Sequence, residues 1–136
     1  GRMATQEPER IPIAQESDVV LVRRAVRERA RTLKLSLVEQ TKLVTAASEL
    51  ARNALEHAGG GQATVTTVVN GTRSGVELIF EDDGPGIADV ETALRDGFTT
   101  GRGLGLGLGG ARRLVHEFDL EGRDGGGTRI RIVRWS

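Results

Sequence analysis

The chain has 136 residues, 19 basic and 19 acidic side chains, no cysteine, and three Phe, one Trp and no Tyr. That inventory excludes a disulfide or cysteine–metal framework, gives bulk electrostatic attraction to nucleic acid no support, and leaves too few rings for a base-stacking surface. No apolar run approaches the roughly 20 residues a membrane helix needs, and the N-terminus has no signal-like stretch, so the expectation is one cytoplasmic domain without membrane or nucleic-acid partners.

Residues 1–9 are polar and unpatterned and are expected to be disordered, ahead of a single domain over 10–136. Arg10–Gln15 alternates like a short strand, and Pro12 suits an edge position. Ser17 reads as an N-cap, after which Val19, Val22, Val26, Ala30 and Leu33 recur at helical spacing. The opposite side carries Arg23, Arg24, Arg27 and Arg31. Such a face is ordinarily solvated; the sharper reading is a docking surface for an acidic partner.

Ser36-Leu37-Val38-Glu39 matches a capping box. The helix it opens is predicted to run to about Ala58 and stop at Gly59-Gly60-Gly61, with Leu43, Ala47, Leu50, Ala54 and Ala58 as its apolar stripe. Glu49, Arg52, Asn53 and Glu56 share its other side. Gln62–Val69 and Val76–Glu81 read as a hairpin across Asn70–Gly75. Asp89–Arg95 is expected to be a short helix, Gly97–Gly110 a glycine-dense loop, and Ala111–Phe118 a helix bearing His116 on its surface, as His57 lies on the surface of the helix before it. Phe118–Glu121 and Thr128–Val133 complete a closing hairpin around a turn at Gly122–Gly127. This order predicts an α+β two-layer sandwich: one mixed, mostly antiparallel sheet with helices on one face.

Three short pieces carry chemistry. Glu49 and Asn53 stand four apart on one helix face; alone, that spacing is more often a solvated face than a site. Asp82-Asp83-Gly84-Pro85-Gly86-Ile87 follows a strand. It reads as a turn or, functionally, as a carboxylate at a strand end that accepts a hydrogen bond from an exocyclic amine such as that of adenine. Guanine would set two acceptors face to face, a mismatch costing about 1–3 kcal/mol. Gly84 and Gly86 let a flat base approach the backbone. The third piece runs from Gly101 to Gly110 and opens into a helix. Glycine backbone amides and a helix N-terminus together suit a polyphosphate. No G-x-x-x-x-G-K-[ST] is present, and the G-x-G-x-x-G at Gly105–Gly110 has no strand before it and no βαβ unit around it, so neither a P-loop nor a Rossmann site is read here.

In this order, Glu-x-x-x-Asn, Asp-x-Gly-x-Gly, a glycine-rich lid and a Gly-Thr in the last strand resemble the GHKL (Bergerat-fold) ATPase and kinase superfamily. Within it, SELARNALEHAG, EDDGPGI and DGFTTGRGLGLGLGGARRLVHEF resemble the small serine/threonine kinases of sigma-factor pathways, of the RsbT-type switch-kinase group of the stressosome. The resemblance implies the Bergerat ATP-binding fold and an Mg²⁺·ATP pocket. It implies Glu49 as general base, Asn53 as Mg²⁺ ligand, Asp82 as the adenine-reading carboxylate, and Gly84 and Gly86 as shapers of the base pocket. It further implies Gly103, Gly105 and Gly107 as lid backbone around the phosphates, and Thr128 as the hydroxyl near the base. Arg102 is the cation of the lid, read either as a contact of the γ-phosphate or as a solvent-facing side chain. The implied reaction is phosphoryl transfer from ATP to a serine or threonine of a STAS-domain protein in a partner-switching pathway, with a PP2C-type phosphatase or another output protein as a further partner. The alternative is a non-catalytic ATP-dependent binding module, an anti-sigma factor or phosphatase activator. A histidine-kinase fragment is disfavoured, because no helix pair with a histidine box is present.

Overall fold

The computed structural model describes residues 7–84, 104–123 and 126–136, with backbone alone over 104–107. Strand β1 (Glu9–Ile13) begins inside the segment expected to be disordered, and residues 1–6 lie outside the described residues. Helix α1 (Glu16–Thr32) starts earlier than Ser17 suggests: Gln15 is its cap. Asp18 organises that turn, its carboxylate accepting the N–H of Ala14 at 2.8 Å and of Gln15 at 3.1 Å. The acid sits at the third helical position and returns its carboxylate to the cap, which fixes the helix start before Ser17. Helix α2 (Leu37–Ala58) forms as read. Ser36 Oγ accepts the N–H of Glu39 at 3.1 Å, Glu39 returns a carboxylate to the N–H of Ser36 at 2.9 Å, and Gly59 closes the helix at φ 76°.

Strands β2 (Gly61–Asn70) and β3 (Arg73–Asp82) pair from Gln62↔Glu81 to Asn70↔Arg73. The turn between them is therefore only Gly71-Thr72, tighter than the expected connection, with φ 66° at Gly71 as a short hairpin requires. Helix α3 (Leu104–Arg113) starts within the expected glycine loop and ends before the expected helix does. The chain then enters β4 (Glu117–Gly122) and β5 (Thr128–Trp135). Asp89–Arg95 lies outside the described residues.

The five strands run β1-β2-β3-β5-β4, and every described pairing is antiparallel. Period-two alternation sends Ala63 and Val65 of β2, Leu78 and Phe80 of β3, and Ile130 and Ile132 of β5 to one face. There they pack with Val22 and Val26 of α1, Leu43, Ala47 and Leu50 of α2, and Leu108 and Ala111 of α3. The other face is charged. Arg131 binds Glu77 at 2.6 Å and Glu117 and Asp119 at 3.1 Å each, while Arg129 binds Glu121 at 3.2 Å. One face thus builds a two-layer core, and the other carries these ion pairs with Val133 and Trp135 buried at its end, an α+β sandwich.

Candidate functional site

Asp82 and Thr128 are register partners at one end of β3 and β5. They share the parity of Phe80 and Ile130, so they continue the inward rows past the last apolar pair and face the helical layer. Thr128 is buried although polar. Asp82 Oδ1 accepts the N–H of Gly84 at 2.9 Å, which folds the chain into a tight turn, and among the described residues nothing donates to the second carboxylate oxygen. The last turn of α2 closes on this turn: a Cβ on Gly84 would stand 2.6 Å from Ala58 Cβ. Glycine at 84 is needed for helix and strand end to meet.

Glu49 and Asn53 lie on the same helix, upstream of Ala58. The Glu49 carboxylate is exposed and has no ion pair or hydrogen bond among the described residues. Asn53 is half-buried, and its Nδ2 is buried without a hydrogen-bond partner among the described residues. A buried amide nitrogen left unpaired costs about 1–3 kcal/mol, so this carboxamide is a donor that the described fold does not satisfy. Helix α3 packs along α2 through Leu108 and Ala111. Gly105 and Gly107, expected in a loop, are helical in its first turn, where backbone N–H groups have no intrahelical acceptor. Gly86, Arg102 and Gly103 lie outside the described residues.

Two residues at this corner escaped the sequence reading. Arg123 donates from one guanidinium nitrogen to the carbonyl of Asp82 at 2.8 Å and to the Asp83 carboxylate at 2.9 Å, tying the β4–β5 connection to the end of β3. Gly127 has φ 99°, and a Cβ there would fall 2.0 Å from the carbonyl oxygen of Asp82. The Gly-Gly-Thr run was the available signal, but as sequence it reads only as a turn. A cavity of about 520 Å³ opens beside the corner, lined by Gly59, Gly60, Gln62, Glu81, Asp82 and Arg123 among others. It meets the candidate set through Asp82 and does not reach Glu49 or Asn53.

The histidines stand apart. His57 lies in the last turn of α2. His116 is not on a helix surface; it directly precedes β4, and its Nδ1 accepts the backbone N–H of Trp135 at 2.9 Å. Partial burial, then the charges of Arg134 and Arg73, hold its pKa below the usual value, against the opposing pull of Glu39 and Glu117. This is the end of the sheet away from Asp82, because Trp135 and Thr128 are the two ends of β5.

Comparison with known proteins adds a family. Residues 38–135 match the family described as histidine kinase-, DNA gyrase B-, and HSP90-like ATPase. The serine/threonine-protein kinase RsbT of Bacillus subtilis (strain 168) is 42% identical over 125 residues, covering 92% of this chain and 94% of that protein. An anti-sigma F factor of Thermoanaerobacter sp. (strain X514) is 28% identical over 112 residues, 78% of this chain and 77% of its own. The solved structure of the mycobacterial sensor histidine kinase MprB superposes with a TM-score of 0.55 at 22% identity, covering 96% of this chain and 97% of the other, a likeness of fold.

Proposed function

The chain belongs to the histidine kinase-, DNA gyrase B- and HSP90-like ATPase family and is an ATP-using serine/threonine-protein kinase within it, and from that premise we propose how its site works and on what it acts. Its substrate is a STAS-domain regulatory protein, phosphorylated on a serine or threonine in a partner-switching pathway. A PP2C-type phosphatase or another output protein is the further partner. Among the described residues no helix is long and apolar enough to cross a membrane; the cytoplasm, where ATP is supplied, is the compartment proposed.

The observation that carries the site is the corner where Asp82, Gly84 and Thr128 face the end of the helix that bears Asn53's unpartnered amide. Asp82 offers its free oxygen to the adenine amine, with the Thr128 hydroxyl beside it. The glycine amides at the start of α3 receive the phosphates at the positive end of that helix. Arg102, Gly86 and Gly103 complete the lid and base pocket. Asn53 suits Mg²⁺ through Oδ1, a neutral hard oxygen donor, while its unpartnered Nδ2 is left to donate to an acceptor such as a phosphate oxygen or a metal-bound water. No group of three or more His, Cys, Asp or Glu is placed to hold a metal ion among the described residues. A hard ion that takes most ligands from phosphate and water needs no such group. When bound, Mg²⁺ neutralises charge on the phosphate oxygens. Glu49, exposed and unpaired, accepts the proton of the incoming hydroxyl, and the rest of the catalysis is positioning.

The test is incubation with labelled Mg·ATP and candidate STAS proteins. Label is expected on a hydroxyl of one of them. Glu49→Ala should slow transfer roughly 10²–10⁴-fold, the range of a lost general base, with nucleotide binding retained. Undiminished turnover in that variant removes Glu49 from the chemistry. ATP binding without transfer to any STAS protein makes the chain a binding module.

A further inference from the structure

Arg52 lies between the two helix residues of the proposed site, one position before Asn53 and three after Glu49. Helical spacing gives its guanidinium two intrahelical carboxylates, Glu49 at i−3 and Glu56 at i+4. It takes neither. Its NH1 binds Glu16, the first residue of α1, across the junction of the two helices. Both side chains are substantially exposed, 40% for Arg52 and 65% for Glu16. Glu49 and Glu56 have no ion pair among the described residues.

We propose that Glu16 is a positioning residue for the phosphoryl-transfer reaction: it holds the Arg52 guanidinium away from Glu49 and so keeps that carboxylate unoccupied. The inference rests on the reading of Glu49 as the base. The choice open to a released Arg52 follows from helix electrostatics. An acid N-terminal to its basic partner makes the better intrahelical pair, because it agrees with the helix dipole, so Arg52 would turn back to Glu49 rather than forward to Glu56. A carboxylate held by a guanidinium has part of its acceptor capacity engaged and its basicity lowered by the cation, so it is the poorer acceptor of a hydroxyl proton. Glu16 is suited to prevent this. At the N-terminus of α1 its charge is favoured by that helix's own dipole, and α1 and α2 pack along each other. The same ion pair joins the helix bearing the basic outer face to the helix bearing the proposed base.

The experiment compares Glu16→Gln, the double variant Glu16→Gln/Arg52→Gln and Glu49→Gln in transfer to a STAS substrate, with ATP affinity measured by calorimetry for each. Glu16→Gln should lower kcat about two- to fivefold, the occupancy an exposed ion pair sustains, and leave ATP affinity unchanged. Adding Arg52→Gln should restore the rate, and raising the ionic strength should reduce the deficit of the single variant. A double variant as slow as Glu16→Gln alone, or a Glu16→Gln enzyme at full rate, overturns the inference while Glu49 remains the base. Full activity in Glu49→Gln overturns the base reading, and this inference with it. A purely structural loss at the helix junction would not be rescued by removing the cation.

Discussion

At the scale of single residues, two positions make the corner and the far end of the sheet what they are. Gly127 must be glycine on two independent grounds, a left-handed φ and the absence of room against the Asp82 carbonyl. Gly127→Ala should destabilise the protein by about 2–3 kcal/mol, since it combines a strained backbone with a clash against backbone that has little freedom to yield. Urea denaturation measures it, and a loss below the level of an ordinary surface change would contradict the geometry. His116 makes a prediction in pH. Its folded pKa lies below the usual 6.5, so between those two values the unfolded chain binds the extra proton. The contribution of the neutral imidazole is complete above 6.5 and is lost as pH falls through that value toward the depressed one. Protonation of Nδ1 would also set a donor against the Trp135 N–H it now accepts. Wild-type protein should therefore lose more stability between pH 7.5 and 5.5 than His116→Gln, whose amide oxygen can still accept. Equal losses in the two proteins would refute this.

At the scale of elements, legibility followed the strength of local signals. Helix α2 could be read to within a residue because Ser36, Glu39 and Gly59 are each satisfied locally, by contacts inside one turn. The start of α1 differs from the sequence expectation because Gln15 and Asp18 form a reciprocal capping box one turn wide, and a glutamine is a weaker cap signal in sequence than the serine two residues on. Helix α3 was misjudged for a different reason. Gly105, Gly107, Gly109 and Gly110 fall within its ten residues, and each glycine disfavours a helix by about 0.8–1.0 kcal/mol relative to alanine. Packing of Leu108 and Ala111 against the core offsets that cost, and tertiary packing is invisible in a window of sequence. The Glu49–Asn53 pair and the Asp82 turn become a candidate site only jointly, since either pattern alone occurs on ordinary surfaces. The outer face of α1 remains the element with an open purpose. Arg23, Arg24 and Arg27 have no ion pair among the described residues, and Val20 and Leu21 beside them are 47% and 46% exposed. If that face receives an acidic protein substrate, Arg23→Glu/Arg24→Glu/Arg27→Glu should raise KM for the substrate ~10-fold or more at low salt, because steered encounter depends on complementary charge. ATP affinity should be untouched, and an unchanged KM would return the face to plain solvation.

At the scale of the whole molecule, the proposed nucleotide site joins parts that the fold otherwise connects weakly. The sheet is a continuous antiparallel ladder, whereas α3 packs, among the described residues, chiefly on α2 and carries the glycines that make it a poor helix in isolation. A ligand gripped at once by Asp82 and Thr128 on the strand ends, Asn53 on α2 and the first-turn amides of α3 would bind the folded arrangement and not the unfolded chain. Linkage then fixes the size of the effect: at 100 times its dissociation constant, Mg·ATP should add about 2.7 kcal/mol, raising Tm by roughly 8–13 °C for a domain of this size. Asp82→Asn should reduce the shift at the same nucleotide concentration, because an amide can present its oxygen to the adenine amine only with weaker, uncharged acceptance. Removing Mg²⁺ with a chelator should reduce it in the parent protein as well, by way of the phosphates and Asn53. The two losses arise at opposite ends of one ligand, so the chelator should act on Asp82→Asn and on the parent alike. A variant whose shift matches the parent's at every nucleotide concentration would separate the strand-end corner from the nucleotide and leave α2 and α3 to bind it without the sheet.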